Sequence, residues 1–199
     1  FIYILTITER DNIRKRIIYL LFGGIAAISP DITKFFGDIF GHSIWAAPMF
    51  GLLVAVIFHF LHRDIPFVKS WGIFSLIVLV GHLFIDYIGN GVAFLYPIHK
   101  EEFSLSIIAR TDEFIFFTLL AIVLIALVYR KGKMIVLTGL LLISLYIGGL
   151  IVSKLQLEHA LKQQYEDNEI HLLLTYRSHQ FLEWNFMLRS EKVWVCGYS

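Results

Sequence analysis

Two ionisable residues lie four positions apart inside one of the most apolar stretches of the chain. The stretch runs from Trp71 to Ile88 and contains His82 and Asp86. Residues with this spacing share one face of a helix. A charged group at membrane depth is costly, so such groups usually face a protein interior and serve a function. An imidazole and a carboxylate on one helix face can bind a metal ion, or they can pair with each other, with the aspartate fixing the tautomer of the histidine.

Three further candidate ligands lie near the ends of other apolar segments. Asp31 follows Pro30, His42 belongs to a Gly-His-Ser sequence, and Asp112 precedes a long apolar run. Each has a simpler interpretation, because aspartate is favoured at helix ends and either Asp31 or Asp112 could be a cap. His42 could be an interfacial residue beside a capping Ser43.

The composition is that of a membrane protein. Of the 199 residues, 57% are hydrophobic and 17% are charged, whereas soluble domains contain about 25% charged residues. The net charge of +1 gives no general attraction to nucleic acid, so no nucleic-acid partner is expected. The single cysteine, Cys196, excludes an internal disulfide framework and a cysteine-rich metal cluster.

Five segments are apolar enough to be considered as membrane spans, which need about 20 residues. In chain order they are Ile17–Pro30, Ser43–Leu61, Trp71–Ile88, Glu113–Tyr129 and Met134–Ser153. The first is short, but it can extend upstream if Arg14 and Arg16 snorkel to the interface. The predicted fold is therefore mainly α, a polytopic helical membrane protein with about five spanning helices and a small outer C-terminal β-containing segment.

The character of the chain changes after Ser153. A polar stretch with a weak helical pattern is followed by three short runs rich in β-formers, HLLLTYR, FLEWNFMLR and KVWVCGY. We predict a transmembrane helical metal-site domain over residues 1–153 and an extracytoplasmic helix plus β segment over 154–199. The chain begins at Phe1 without an initiator Met and stops within a strand pattern, so we expect truncation at both ends.

Basic residues in short loops predict the orientation, because they concentrate on the cytoplasmic side. Alternate loops hold nine of them, Arg10, Arg14, Lys15, Arg16, Arg63, Lys69, Arg130, Lys131 and Lys133. The other loops hold only Lys34, Lys100 and Arg110. The first set is predicted to be cytoplasmic, so that the loops at 31–42 and 97–112 and the C-terminal segment lie outside.

This topology brings all five candidate ligands to the outer end of the helices. The predicted metal ligands are Asp31, His42, His82, Asp86 and Asp112. Ser43, Asn90 and His99 are predicted to support the site or contact a substrate. Asn90 lies between two glycines, a pattern that also indicates a simple turn, and His99 could be merely solvated beside Lys100.

The order of the motifs resembles a known family. The strings PDITKF, GHS, GHLFIDYIGNGVAFLYPI and RTDEFIFF are similar to those of the membrane-bound metal-dependent hydrolases, the YdjM-like group, which is distantly similar to zinc-dependent phospholipase C. The resemblance covers most of the chain from about Ile17 onward, and the five candidate ligands fall on matching positions. Two departures stand out: Gly41 replaces the usual Thr, and no Thr-His precedes the first span. A helix missing upstream would account for the second.

The resemblance implies a hydrolase of the bacterial inner membrane with its site open to the extracytoplasmic side. Its substrate would be a phosphoester or another small or lipid-linked molecule, and membrane lipids would be its partners. A shell of imidazoles and carboxylates favours Zn²⁺, with Mn²⁺ or Fe²⁺ as alternatives, and any of the carboxylates could be the general base.

The alternative is a non-catalytic membrane protein, either a metal or proton carrier or a helix bundle clamped by a structural metal. A carrier needs polar groups through the full membrane depth, whereas the predicted inner halves contain few besides Ser75 and Thr138.

Overall fold

The computed structural model describes residues 12–37, 39–63, 65–129, 131–165, 169–178, 183–191 and 193–199. It is mainly helical, with one small sheet near the end of the chain. The helices are α1 (Ile13–Ile28), α2 (Ala46–Leu61), α3 (Phe67–Val78), α4 (Phe84–Ile88), α5 (Glu113–Val128) and α6 (Gly132–Gln164), and the strands are β1 (Ile170–Arg177), β2 (Trp184–Ser190) and β3 (Trp194–Tyr198). Of the basic residues that predict the orientation, Arg10 and Arg130 lie outside the described residues.

Short irregular helices extend or join the main ones. A 3₁₀ helix, Ser29–Phe36, continues α1, and a 3₁₀ turn, Phe40–His42, precedes α2. One π-helical turn, Leu79–Leu83, connects α3 to α4, so that Phe67–Ile88 forms one helical path.

Three helical stretches are long and apolar enough to cross a membrane. They are Ile13–Phe36, Phe67–Ile88 and Gly132–Gln164. Helices α2 and α5 are also apolar but contain 16 residues each, which corresponds to about 24 Å, shorter than a hydrocarbon core of about 30 Å. Helices therefore occupy all five predicted positions, and three of them have the length of a span; the other two spans stay predictions.

Apolar side chains cover the outside of the helices as well as the inside. Leu21, Leu53, Leu124 and Leu145 are all exposed, although the buried core is apolar as well. A helix that is hydrophobic on every side belongs in a large core or a membrane. The exposed apolar surface therefore agrees with a lipid environment.

Helices α2 and α3 approach each other closely at a glycine. A Cβ atom at Gly51 would lie 2.7 Å from the Ser75 Cα, so only glycine permits this separation. Tyr19 from α1, Phe58 from α2 and Phe74 from α3 are buried in a shared core. Small residues at helix contacts allow the close backbone packing that stabilises helix pairs in membranes.

Arg16 connects α1 to the end of α5. It is 5% exposed, and its Nη1 donates to the carbonyl oxygens of Ala126, Leu127 and Tyr129 at 3.4, 3.4 and 3.2 Å. Carbonyls at a helix C-terminus lack intrahelical partners and carry partial negative charge. The expectation that Arg16 snorkels is therefore wrong, because these carbonyls provide a buried site for its guanidinium.

The C-terminal sheet is antiparallel, with strand order β1-β2-β3, which confirms the predicted β segment. The buried Trp184 donates from its indole Nε1 to Ser153 Oγ at 3.0 Å, and Thr175 Oγ1 donates to Glu158. Both acceptors belong to α6, which continues without a break past residue 153. The sheet is thus attached to the end of α6, and the domain boundary at 153 stays a prediction.

Candidate metal centre

Asp31 lies at the start of the 3₁₀ helix that continues α1. Pro30 occupies the first turn of this helix, where its missing N–H removes no hydrogen bond. The helix ends at Gly37, whose φ of 71° is left-handed, a conformation that glycine adopts at little cost. The chain therefore leaves α1 and turns back towards the start of α2 with Asp31 near the reversal.

The 3₁₀ turn before α2 carries His42. Ser43 closes this turn, because its backbone N–H and its Oγ both donate to the Phe40 carbonyl at 2.9 and 2.7 Å. Ser43 is fully buried. Its hydroxyl thus helps to fix the turn that carries His42, and its supporting role in a metal site stays a prediction.

Gly41 allows this turn to lie against the chain around Asp31. Its N–H donates to Thr33 Oγ1 at 3.1 Å, and Thr33 Oγ1 donates to the Pro30 carbonyl at 3.0 Å. A Cβ atom at position 41 would collide with that same carbonyl. The glycine that departs from the family pattern is therefore required here by the close approach of two backbone segments.

His82 and Asp86 lie on either side of the junction between the π turn and α4. His82 is within the turn Leu79–Leu83, and the N–H of Phe84 bonds to the Leu79 carbonyl. A single π turn inside an α-helix is rare and is often found at functional sites. Both side chains point towards His42, as their spacing predicts.

The imidazoles of His42 and His82 converge with one carboxylate. Their Nε2 atoms are 3.3 Å apart, and Asp31 Oδ1 lies 3.4 Å from the first and 3.9 Å from the second. Ligand atoms of these three residues all lie within 4.8 Å of one another. Ligands at about 2.0–2.1 Å from a tetrahedral ion are separated by about 3.4 Å. The three atoms therefore have the spacing of a metal-binding set.

Asp86 is close to the same two imidazoles. Its Oδ2 lies 3.1 Å from His42 Nε2 and 3.7 Å from His82 Nε2. Its Oδ1 accepts a hydrogen bond from Asn90 Nδ2 at 3.3 Å. The structure thus brings four of the five candidate ligands together, and Asn90 supports one of them. Whether Asp86 is a ligand stays a prediction.

Asp112 has a different environment. Its Oδ1 accepts from the Ile115 N–H at 3.0 Å, which makes it the N-cap of α5, and its Oδ2 accepts from the Tyr146 hydroxyl at 3.0 Å. Both oxygens therefore have protein donors, and Asp112 is not part of the Asp31, His42 and His82 group. The geometry matches the simpler interpretation of a cap, and a ligand role for Asp112 stays a prediction.

Two other side chains complete the description of the site. His99 is exposed in the loop between α4 and α5, and its predicted contact with a substrate stays a prediction. Lys34, which had no predicted role, places its Nζ 2.7 Å from Asp31 Oδ1. Its position three residues after Asp31 in a helical turn is the sequence signal that could have identified the pair.

The donor atoms fit a divalent transition ion. His42 and His82 are 5% and 9% exposed, and the Nδ1 atom of His42 has no hydrogen-bond partner among the described residues. Its polar contacts are therefore made through Nε2, which points at the other donors. Two imidazole nitrogens and a carboxylate oxygen are a ligand set that zinc, manganese and iron accept.

Apolar helices that bring two buried histidines and two carboxylates together at one end of the bundle define a helical membrane protein with a candidate metal centre. The chain belongs to the YdjM inner membrane protein family, whose model matches residues 1–157. The matched region includes every candidate ligand and ends within α6, before the sheet begins. No curated protein and no solved structure matches the chain.

Proposed function

We propose that the protein is a metal-dependent hydrolase of the inner membrane, acting on a phosphoester or a lipid-linked substrate. The observation that carries this proposal is the convergence of His42 Nε2, His82 Nε2 and Asp31 Oδ1 at 3.3–3.9 Å. Three protein ligands leave a coordination position for water, which distinguishes catalytic sites from closed structural ones.

In this proposal Asp31, His42 and His82 hold the ion, and Asp86 is the general base. A bound divalent ion would lower the pKa of a water ligand to about 7 and polarise a phosphoryl or acyl oxygen. Asp86 suits a base because its carboxylate lies beside both imidazoles, while the hydrogen bond from Asn90 holds its orientation. Lys34 would place a positive charge beside the reacting group.

The site is proposed to open to the extracytoplasmic side. The excess of basic residues in the loops at the opposite end of the helices supports this orientation. The side chain of Asp31 is 39% exposed, so that a substrate can reach the cluster from the surface. Apolar helix faces next to it would be covered by membrane lipid, which places a lipid-linked substrate within reach.

The test is metal analysis combined with hydrolysis assays on the full-length protein, purified in detergent without chelator. We expect a bound divalent ion, Zn²⁺ before Mn²⁺ or Fe²⁺, and hydrolysis of a phosphodiester or ester that chelation abolishes and added metal restores. Asp86→Asn separates two roles of Asp86. If Asp86 is the base, the variant loses hydrolysis but keeps its metal; if Asp86 is a ligand, the variant loses both.

The non-catalytic alternatives give different results in the same experiment. Bound metal without hydrolysis, together with a melting temperature that falls on chelation, would indicate a structural clamp between α1, α2 and α3. Metal flux into liposomes would indicate a carrier. A full-length protein that purifies with no metal would contradict the hydrolase proposal itself.

A further inference from the structure

A polar pocket of about 350 Å³ includes in its lining Asn90, which hydrogen-bonds to Asp86 near the candidate metal centre. It is formed by the turn after α4, the loop before α5 and the first two strands of the sheet. Its polar lining includes Asn90, Ser106, Arg110, Tyr176, Arg177 and Asn185. Two of these side chains are cationic, and none of the described residues that line the pocket is acidic.

Arg177 is the unusual member of the lining. It is 8% exposed, and its guanidinium lies 5.4 Å above the ring of Trp184. Its Nη1 donates to the Glu183 carbonyl at 3.3 Å, but its Nε has no hydrogen-bond partner among the described residues. A buried charge without a paired ion costs several kcal/mol. Arg177 therefore brings to the pocket wall a buried guanidinium that has no ion-pair partner among the described residues.

The other side of the pocket supplies a second set of donors. Arg110 is exposed on the facing loop, and Ser106 has a left-handed φ of 49°, which is uncommon for a residue other than glycine. Two guanidinium groups together with amide and hydroxyl groups match the several oxygens of a phosphate, which arginine binds in a bidentate manner.

Asn90 links the pocket to the metal centre. It lines the pocket and also donates to Asp86 Oδ1, so one side chain contacts both the pocket and the proposed base. We propose that this pocket binds a phosphate group, either of a phospholipid headgroup or of a soluble phosphate monoester. The assignment of this pocket as the phosphate subsite of the substrate rests on the proposed function. Its assignment as an anion site does not depend on a bound metal.

The experiment measures binding by chelator-treated full-length protein, so that a metal ion cannot hold the anion. Glycerol phosphate is titrated by calorimetry in maltoside detergent, and nanodiscs of phosphatidylcholine with or without phosphatidic acid provide the lipid arm. The variants are Arg110→Gln and Arg177→Lys, which loses the planar guanidinium fork. The matched control is Arg189→Gln, an exposed arginine on β2 outside the pocket.

We expect either variant to raise the Kd about tenfold or more, since hydrogen bonds to charged groups are among the strongest, while the control stays within about twofold of the wild type. Arg110→Gln alters an exposed residue, so a folding defect cannot explain its effect. Binding only in the phosphatidic acid arm assigns a lipid headgroup, and binding of glycerol phosphate assigns a soluble monoester.

Two results would overturn the inference: binding that is absent without metal, or binding that neither arginine variant weakens. Phosphate binding without any hydrolysis by the metal-loaded protein would leave the pocket assigned and contradict the hydrolase. The two proposals therefore fail separately.

Discussion

His42 and His82 are 40 residues apart in the chain, and their Nε2 atoms are 3.3 Å apart in the structure. At this distance one Nε2 can donate a hydrogen bond to the other, or both can bind one ion. Each also lies close to a carboxylate oxygen. The carboxylates of Asp31 and Asp86 beside them favour an ion, and the following variants distinguish these cases.

The first prediction concerns metal retention. His82→Ala should lower the metal content of the purified protein by more than about tenfold, which is the low end of the loss in affinity caused even by removing a supporting group. Asp86→Ala removes the proposed base and should leave most of the metal content in place. His59→Ala, at the opposite end of α2, should leave it unchanged. Metal content by mass spectrometry of the protein purified without chelator is the measurement.

A double variant tests whether the two residues form only a pair. If no metal binds and they merely pair, each single variant leaves an unpaired buried group and is less stable. The double variant His82→Ala with Asp86→Ala would then recover part of the melting temperature. If the wild-type protein holds metal and the double variant recovers none of the melting temperature, the result supports the metal centre.

Much of this site could be predicted from the sequence, because the ligands lie at the ends of apolar segments. The alternating direction of successive predicted spans is enough to bring Asp31, His42 and His82 to one end of the bundle. The environment of Asp112 could not be predicted, since it depends on Tyr146, a residue 34 positions away that no local pattern connects to it. Arg177 was also missed, because its burial depends on how the sheet packs on α6.

The second prediction concerns the backbone contact at position 41. Gly41→Ala places a methyl group against the Pro30 carbonyl, so the turn carrying His42 must move away from Asp31. We expect a loss of about 1–3 kcal/mol in stability together with lower metal content. Gly24→Ala is the control, because a Cβ atom there meets no other atom within 4 Å, and alanine stabilises a helix interior by about 0.5–1 kcal/mol. Equal melting temperatures of Gly41→Ala and wild type would contradict the described contact.

The third prediction concerns Arg16. Arg16→Gln removes a charged donor from the C-terminal carbonyls of α5 and should reduce stability by about 1.5–3 kcal/mol. Arg14→Gln, an exposed neighbour in the same helix, should change the melting temperature little. Thermal unfolding in detergent followed by circular dichroism measures both, and similar melting curves for the two variants would show that Arg16 does not tie α1 to α5.

The fourth prediction concerns orientation. A reporter that is active only outside the cytoplasm should be active when fused after Ser199 and inactive when fused at Lys131. The physical reason is the concentration of Lys and Arg in the loops on the side of Lys131. The reverse pattern of activity would place the candidate metal centre on the cytoplasmic side.

The fold was predictable where the apolar pattern is long. Each predicted span contains a helix, and the three runs of β-formers became β1, β2 and β3. Helix ends were less predictable: residues 43–45 precede α2 because the turn at Phe40–His42 is stabilised by side-chain hydrogen bonds. Apolar content indicates that a segment avoids water, but it does not indicate at which residue the helical backbone hydrogen bonds begin.

The π turn at Leu79–Leu83 makes the length of this helical path as important as its side chains. Before the turn, Ile73, Phe74 and Ile77 face the core, and within the turn His82 lies against His42. Each residue of an α-helix advances about 100° around the axis, and the wider turn takes up one additional residue between Leu79 and Phe84. Exchanging Val80 for another aliphatic residue should be tolerated. Deleting it would convert the bond between the Phe84 N–H and the Leu79 carbonyl into an ordinary α-helical bond, so Phe84–Ile88 would keep its rotation and only the wider turn that carries His82 would be lost.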